Sequence, residues 1–151
     1  MKIILDKLLK IQKEIGTMKK DGYNEHSNYN YLSEKQATAI LKDLFDKYGI
    51  IFDYNSKILE HHITPSGKQT VYDVQVDYGF IDVESGEIKT GTAVGSGSDS
   101  TDKGVYKAIT GAIKYIYMKT FNIPTGDDTE KTDVQLEDKK VGKNIDTDLG
   151  F

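Results

Sequence analysis

The sequence predicts an α+β fold: an antiparallel three-stranded β-meander packed against a C-terminal helix, with two N-terminal helices ahead of it and an acidic, disordered tail behind. Three observations predict it. Apolar residues recur at helical spacing in the first third of the chain and again beyond residue 104; between these stretches the period changes to two; and the alternating segments are joined by connections short enough to allow only hairpins. At 151 residues the chain has room for one domain with a real core and too little for two. Residues 1–126 are therefore expected to form one domain and residues 127–151 a flexible tail.

Ile4, Leu8, Ile11, Ile15 and Met18 share one helical face, and Gly22 follows as a stop, so a first helix is expected over about 2–20. The next stretch, DGYNEHSNYNYL, is polar and aromatic without a period and reads as a loop. Ser33 stands three residues before Gln36, a capping box. Ala37, Ile40, Leu41, Leu44, Phe45 and Tyr48 then form the apolar stripe of a second helix that ends at Gly49. In QTVYDVQVDYGF, Tyr72, Val74, Val76, Tyr78 and Phe80 alternate with a wet face carrying Asp73, Gln75 and Asp77. Strands at about 50–63 and 87–95 flank it, joined through the turn signals Pro65-Ser66-Gly67 and Ser85-Gly86. A third helix is expected from near Asp102 to just before Pro124. At 100° per residue, Val105, Ala108, Ile109, Ala112, Ile113 and Ile116 fall on one side of it, and Lys103, Lys107 and Lys114 on the other.

The charge balance looks wrong for a nucleic-acid binder until it is divided along the chain. Of the 24 acidic and 20 basic residues, 8 and 4 lie from Asp127 onward, which leaves residues 1–126 with 16 of each sign. A neutral body with an acidic tail can hold a polyanion only by gathering its cations on one face. All 20 basic residues are lysine, which favours point-charge contact over bidentate reading of base edges; the codon usage of an AT-rich genome would give the same composition. The absence of cysteine excludes disulfides, thiolate zinc sites and cysteine nucleophiles. No secretory leader or membrane-spanning run is read from the sequence, and a cytoplasmic location is the default.

Few groups suggest catalysis. The stretch GSGSDSTDKG, between a strand and a helix, occupies the place of a phosphate-cradling loop, but lacks the ending of a P-loop and the third glycine of a dinucleotide fingerprint. Asp73 and Asp77 share a strand face about 13 Å apart, too far for a two-metal site. His61 and His62 are adjacent on a strand and should point to opposite faces. No cofactor, no metal site and no catalytic set is expected. The lysine stripe is the strongest constellation, since cations on one helix face can track a phosphate backbone, although such stripes are commonly just solvated. Tyr106 and Tyr117 border it in projection. Tyr23, Tyr29 and Tyr31 in the loop before the second helix offer platforms on which unpaired bases stack, with Lys35 close by in sequence.

Two blocks carry a family resemblance. GSGSDSTDKGVYKAITGAIKYIYMKTFNIPTGDD, residues 95–128, resembles the signature of the ERF (essential recombination function) family of phage single-strand annealing proteins. NYNYLSEKQATAILKDLFDKYGI, residues 28–50, resembles that family's upstream motif of two aromatics, a capped helix and a terminal glycine. The resemblance matches Asp99, Asp102, Lys103, Lys107, Lys114 and the run Pro124 to Asp128; Asn30 stands where many relatives carry a basic residue. It implies a phage or prophage recombination protein that binds single-stranded DNA, anneals complements without ATP and assembles into homo-oligomeric rings or filaments in the bacterial cytoplasm. The family is distantly similar to eukaryotic Rad-type annealing proteins, whose core is a β-meander on a helix. On this reading residues 1–126 are the annealing domain. A protein that protects single strands or assists replication without annealing them is the alternative, and a nuclease is a more distant one.

The chain closes on NIDTDLGF, which resembles the acidic tip of bacterial single-strand-binding proteins. Asp146, Asp148, Leu149 and Phe151 are thereby expected to dock host replication or repair proteins, with Gly150 departing from the proline usual in that tip. A purely solubilising tail, or one whose acids compete with DNA for the lysine face, are the other readings.

Overall fold

A computed structural model describes residues 1–26 and 28–124. Helix α1 (Lys2–Gly16) is followed by two short strands, β1 (Gly22–Asn24) and β2 (Tyr29–Tyr31), then by helix α2 (Glu34–Tyr48). The long strands β3 (Ile50–Ile63), β4 (Thr70–Asp82) and β5 (Ile88–Asp99) lead into helix α3 (Gly104–Thr120). β3, β4 and β5 form the expected antiparallel meander with β4 in the centre, and α3 packs on β4 and β5. The expected tail lies outside the described residues.

The alternation in β4 decides which side of the sheet is dry. Val74, Val76 and Phe80 are buried, Tyr72 and Tyr78 are half-buried, and all five face the helices. The cross-strand neighbours Phe52 and Tyr54 on β3 and Gly95 and Gly97 on β5 lie on that same side. Rings from four elements fill the centre: Phe45, Phe80 and Phe121 stand 5.7–5.9 Å apart, and Tyr117 meets Phe52 edge-on at 4.9 Å. α1 contributes Ile4, Leu8, Ile11 and Ile15 to the same core. The other sheet face is wet, with Asp53, Asn55, Asp77, Thr92 and Ser96 exposed.

The structure corrects the sequence reading in four places. α1 ends at Gly16, with Thr17 capping it through its backbone N–H, so Met18 lies beyond the helix and is exposed. The segment read as a loop contains the β1–β2 hairpin, pairing Gly22 with Tyr31 and Asn24 with Tyr29; strands of three residues are too short to show a period. The capping box is half made. The Ser33 hydroxyl accepts from the Gln36 backbone N–H at 3.1 Å, but the Ser33 N–H donates to Asp21 Oδ1 and the Gln36 side chain donates to the Lys19 carbonyl. Finally, GSGSD belongs to β5, which runs to Asp99, and α3 begins at Gly104.

That last correction has a steric cause. A Cβ on Gly95 would stand 2.4 Å from the carbonyl oxygen of Ala108, and one on Gly97 would stand 2.4 Å from that of Gly104. The glycines are where the α3 backbone rests on the sheet, with Ala108 and Ala112 as the small residues opposite them. They serve packing and do not form a phosphate loop.

Candidate nucleic-acid interface

The depth at which α3 sits on Gly95 and Gly97 fixes what it presents outward. With Gly104, Ala108, Ala112 and Ile116 turned to the sheet, the opposite flank carries Lys103, Tyr106, Lys107, Thr110, Gly111 and Lys114, which with Asp102 line one open groove. Tyr106 is 70% exposed. Lys103 is the N-cap residue of α3, and its side chain makes no cap hydrogen bond.

Two of the three lysines already hold an acid. Lys107 Nζ is 2.5 Å from Asp99 Oδ2 and also donates to the Ser98 carbonyl. Asp99 is further held by the Thr101 backbone N–H at 2.8 Å and its hydroxyl at 2.6 Å. The Lys107 ammonium first, and the Thr101 donors next, keep the Asp99 carboxyl well below the usual carboxylate range. Lys114 Nζ is 3.1 Å from Glu34 Oε2, in the first turn of α2. This second pair joins regions 80 residues apart in sequence and brings the N-terminal end of α2 to the lysine flank of α3.

The β1–β2 hairpin arrives at the same place. Ser33 donates through both its N–H and its hydroxyl to Asp21, at 2.8 and 2.9 Å, which ties the start of the hairpin to the cap of α2. These bonds hold Asp21 below its ordinary value. Tyr29 and Tyr31 occupy one face of the hairpin, half-buried, with ring centroids 6.0 Å apart; the Tyr31 ring covers Gly22. The aromatic left outward is Tyr23, 54% exposed. Lys35 is exposed beside Glu34.

Tyr117 differs from its expected place. It borders the lysine stripe in projection, but its ring is wedged against Phe45 and Phe52, and burial raises its hydroxyl pKa. A helical wheel gives the angle around an axis and not the depth of the neighbouring ring cluster. Tyr115, 54% exposed, lies away from the lysine groove, with the Lys119 ammonium 5.6 Å from its ring centroid. Asp146, Asp148, Leu149 and Phe151 lie outside the described residues.

On the wet sheet face, Asp77 accepts from Thr92 at 2.7 Å and Asp73 accepts from Ser96. His61 stacks on its cross-strand neighbour Tyr72 at 5.8 Å. Among the described residues no three His, Cys, Asp or Glu side chains are grouped to hold a metal ion, and no helix is long and apolar enough to cross a membrane.

Fold and surface together define a class: an α+β domain with its helices on one side of a meander and a lysine- and tyrosine-bearing groove on α3. The ERF superfamily profile matches residues 4–147, nearly the whole chain. This protein belongs to the ERF superfamily. No curated protein sequence matches it. Among solved structures, a chain from Caulobacter crescentus CB15 described as a lipoprotein aligns at 13% identity over 61% of this chain and 69% of that one, with a TM-score of 0.26, a likeness too slight to carry an argument.

Proposed function

We propose that this protein binds single-stranded DNA without regard to sequence and promotes the annealing of complementary strands without ATP, as a non-enzymatic recombination and repair factor of a phage or prophage acting in the bacterial cytoplasm. One observation carries the reading: the Lys114–Glu34 pair joins the two family blocks, 28–50 and 95–128, into one surface. Along it a strand would meet Lys103, Lys107 and Lys114 as phosphate contacts. Lys35 would extend the path onto α2, and Tyr106 and the hairpin tyrosines would offer stacking platforms. The wet sheet face carries Asp53, Asp73 and Asp77 and repels a polyanion, which confines the strand to the helical side.

The edges of an open meander support assembly into homo-oligomers, ring or filament. The terminal residues Asp146, Asp148, Leu149 and Phe151 are proposed to engage host replication or repair proteins, and deleting residues 145–151 should then abolish their capture without changing DNA affinity.

The deciding experiment mixes two complementary labelled oligonucleotides with and without protein, in the absence of nucleotide. Accelerated duplex formation at low salt is the expected result. Binding that slows pairing would favour the strand-protecting alternative, and absence of binding at low salt would reject both.

A further inference from the structure

We propose that Glu34 is a displaceable stand-in for phosphate: in the free protein its carboxylate occupies Lys114, and an arriving single strand takes its place. The inference rests on the single-strand reading above and adds a residue that regulates it.

The two acids on the lysine flank are built differently. Asp99 is 12% exposed at its side chain and anchored by two bonds from Thr101 besides Lys107. Pulling Lys107 away would strand a nearly buried carboxylate, so that pair stays closed and positions Lys107. Glu34 is 37% exposed, Lys114 is 46% exposed, and the single contact between them is the 3.1 Å ion pair. Both side chains are long and reach solvent, so rotation about their own bonds separates them at small cost. A phosphate offers the same ammonium the same kind of anionic oxygen, within a polymer whose other charges Lys103 and Lys107 attract at the same time. Exchange is therefore favourable for a strand and unfavourable for an isolated anion.

Glu34 follows directly on Ser33, the residue through which Asp21 ties the hairpin to α2. Strand arrival at α3 thus removes the ion pair between α3 and the α2 end that carries the hairpin. The hairpin's hold on Ser33 remains, so the tyrosines stay on α2 while the α2–α3 bridge opens.

The test is a double-mutant cycle read as affinity for labelled oligothymidylate at low salt, with Glu34→Gln, Lys114→Gln and the combined variant, each checked for native circular dichroism. Glu34→Gln should tighten binding about two- to fivefold, the range that an exposed ion pair is worth, and should give no gain in the Lys114→Gln background. Asp43→Asn, an exposed acid about 13 Å further along α2, controls for net charge and should change affinity less. Glu34→Asp keeps the charge and the first-turn acid but shortens the reach, and should also tighten binding. A gain from Glu34→Gln no larger than that from Asp43→Asn, or one that persists without Lys114, overturns the inference and leaves single-strand binding intact. Failure of the wild-type protein to bind oligothymidylate overturns the functional reading and this inference with it.

Discussion

Lys7 on α1 reaches across to Asp82 at the end of β4, Nζ to Oδ1 2.5 Å, and the carboxylate it meets is fully buried. Ser85 supplies the remaining donors, its hydroxyl at 2.6 Å and its N–H at 3.1 Å, so one acid both closes the β4–β5 turn and fastens α1 to the sheet. Glu87, just past that turn, accepts from the Ile4 N–H and the N-terminal ammonium, at 2.9 and 2.8 Å, and caps the same helix.

Acid should therefore unfasten α1. The Lys7 ammonium first, then the Ser85 hydroxyl, hold the Asp82 carboxyl down to about 2 from an ordinary 3.8. A depressed folded pKa contributes stability that is present above the unfolded value and lost as pH falls through the folded one. The urea midpoint should stay level down to about pH 5 and fall from there to about pH 2. Glu87, Asp21, Glu14 and Asp99 shift in the same direction and add to the slope. Asp82→Asn should be less stable at neutral pH and show a shallower acid limb; an unchanged limb would mean that the pair is not formed in solution.

Substitutions at three glycines should move stability in opposite directions. Gly95→Ala or Gly97→Ala puts a methyl group into the backbone of α3, and since backbone cannot swing aside, the helix must lift; about 1–3 kcal/mol of destabilisation is expected. Gly111 lies within α3, and a methyl group added to it would find nothing within 4 Å. Gly111→Ala should therefore stabilise by roughly 0.5–1 kcal/mol through helix propensity. Urea denaturation measures all three.

Much of this fold was legible because its signals are periodic. The stripe from Ala37 to Tyr48 and the alternation from Tyr72 to Phe80 each repeat often enough to fix a face, and both faces are those observed. The β1–β2 hairpin was not legible, because three residues a side cannot display a period and its pairing is read only from Gly22 lying under Tyr31. The glycines at 95 and 97 occupied the place of a phosphate loop without its motif, and their packing role was not legible, since a sequence cannot tell close approach of a phosphate from close approach of a helix. At the site, the lysine flank followed from angle alone. Its neutralisation did not: Glu34 lies 80 positions from Lys114, and no local pattern joins them.

Replacing Lys103, Lys107 and Lys114 together by glutamine should weaken single-strand binding and flatten its salt dependence, at some cost in stability because Asp99 then keeps only its Thr101 donors. For each phosphate that the variant no longer neutralises, the log–log salt slope should shrink by about 0.7. Titrations of labelled oligothymidylate between low and high salt give both quantities. A folded triple variant with wild-type affinity and slope would reduce the flank to solvated surface.

The edge strand β3 makes the proposed self-assembly testable. α3 covers β4 and β5 and meets β3 near its start, where Phe52 meets Tyr117. Beyond Phe52, β3 is exposed along its length and carries Ile58, Leu59 and Ile63 at 50%, 47% and 66% exposure. An irregularity between Ile58 and Glu60 interrupts the register with β4, a feature that can bend an edge away from indiscriminate pairing. Apolar side chains on so open an edge favour a neighbour that covers them. If copies pair there, Ile58→Lys with Ile63→Lys should lower the particle mass seen by light scattering at micromolar concentration, since each pairing would bring two unpaired ammonium groups into an apolar contact. Neither side chain belongs to the buried core, so the variant should melt within about 2 °C of the wild type. A wild-type particle that is monomeric with and without DNA would reject assembly altogether. An oligomer whose mass the double substitution leaves unchanged would move the interface to another part of the surface.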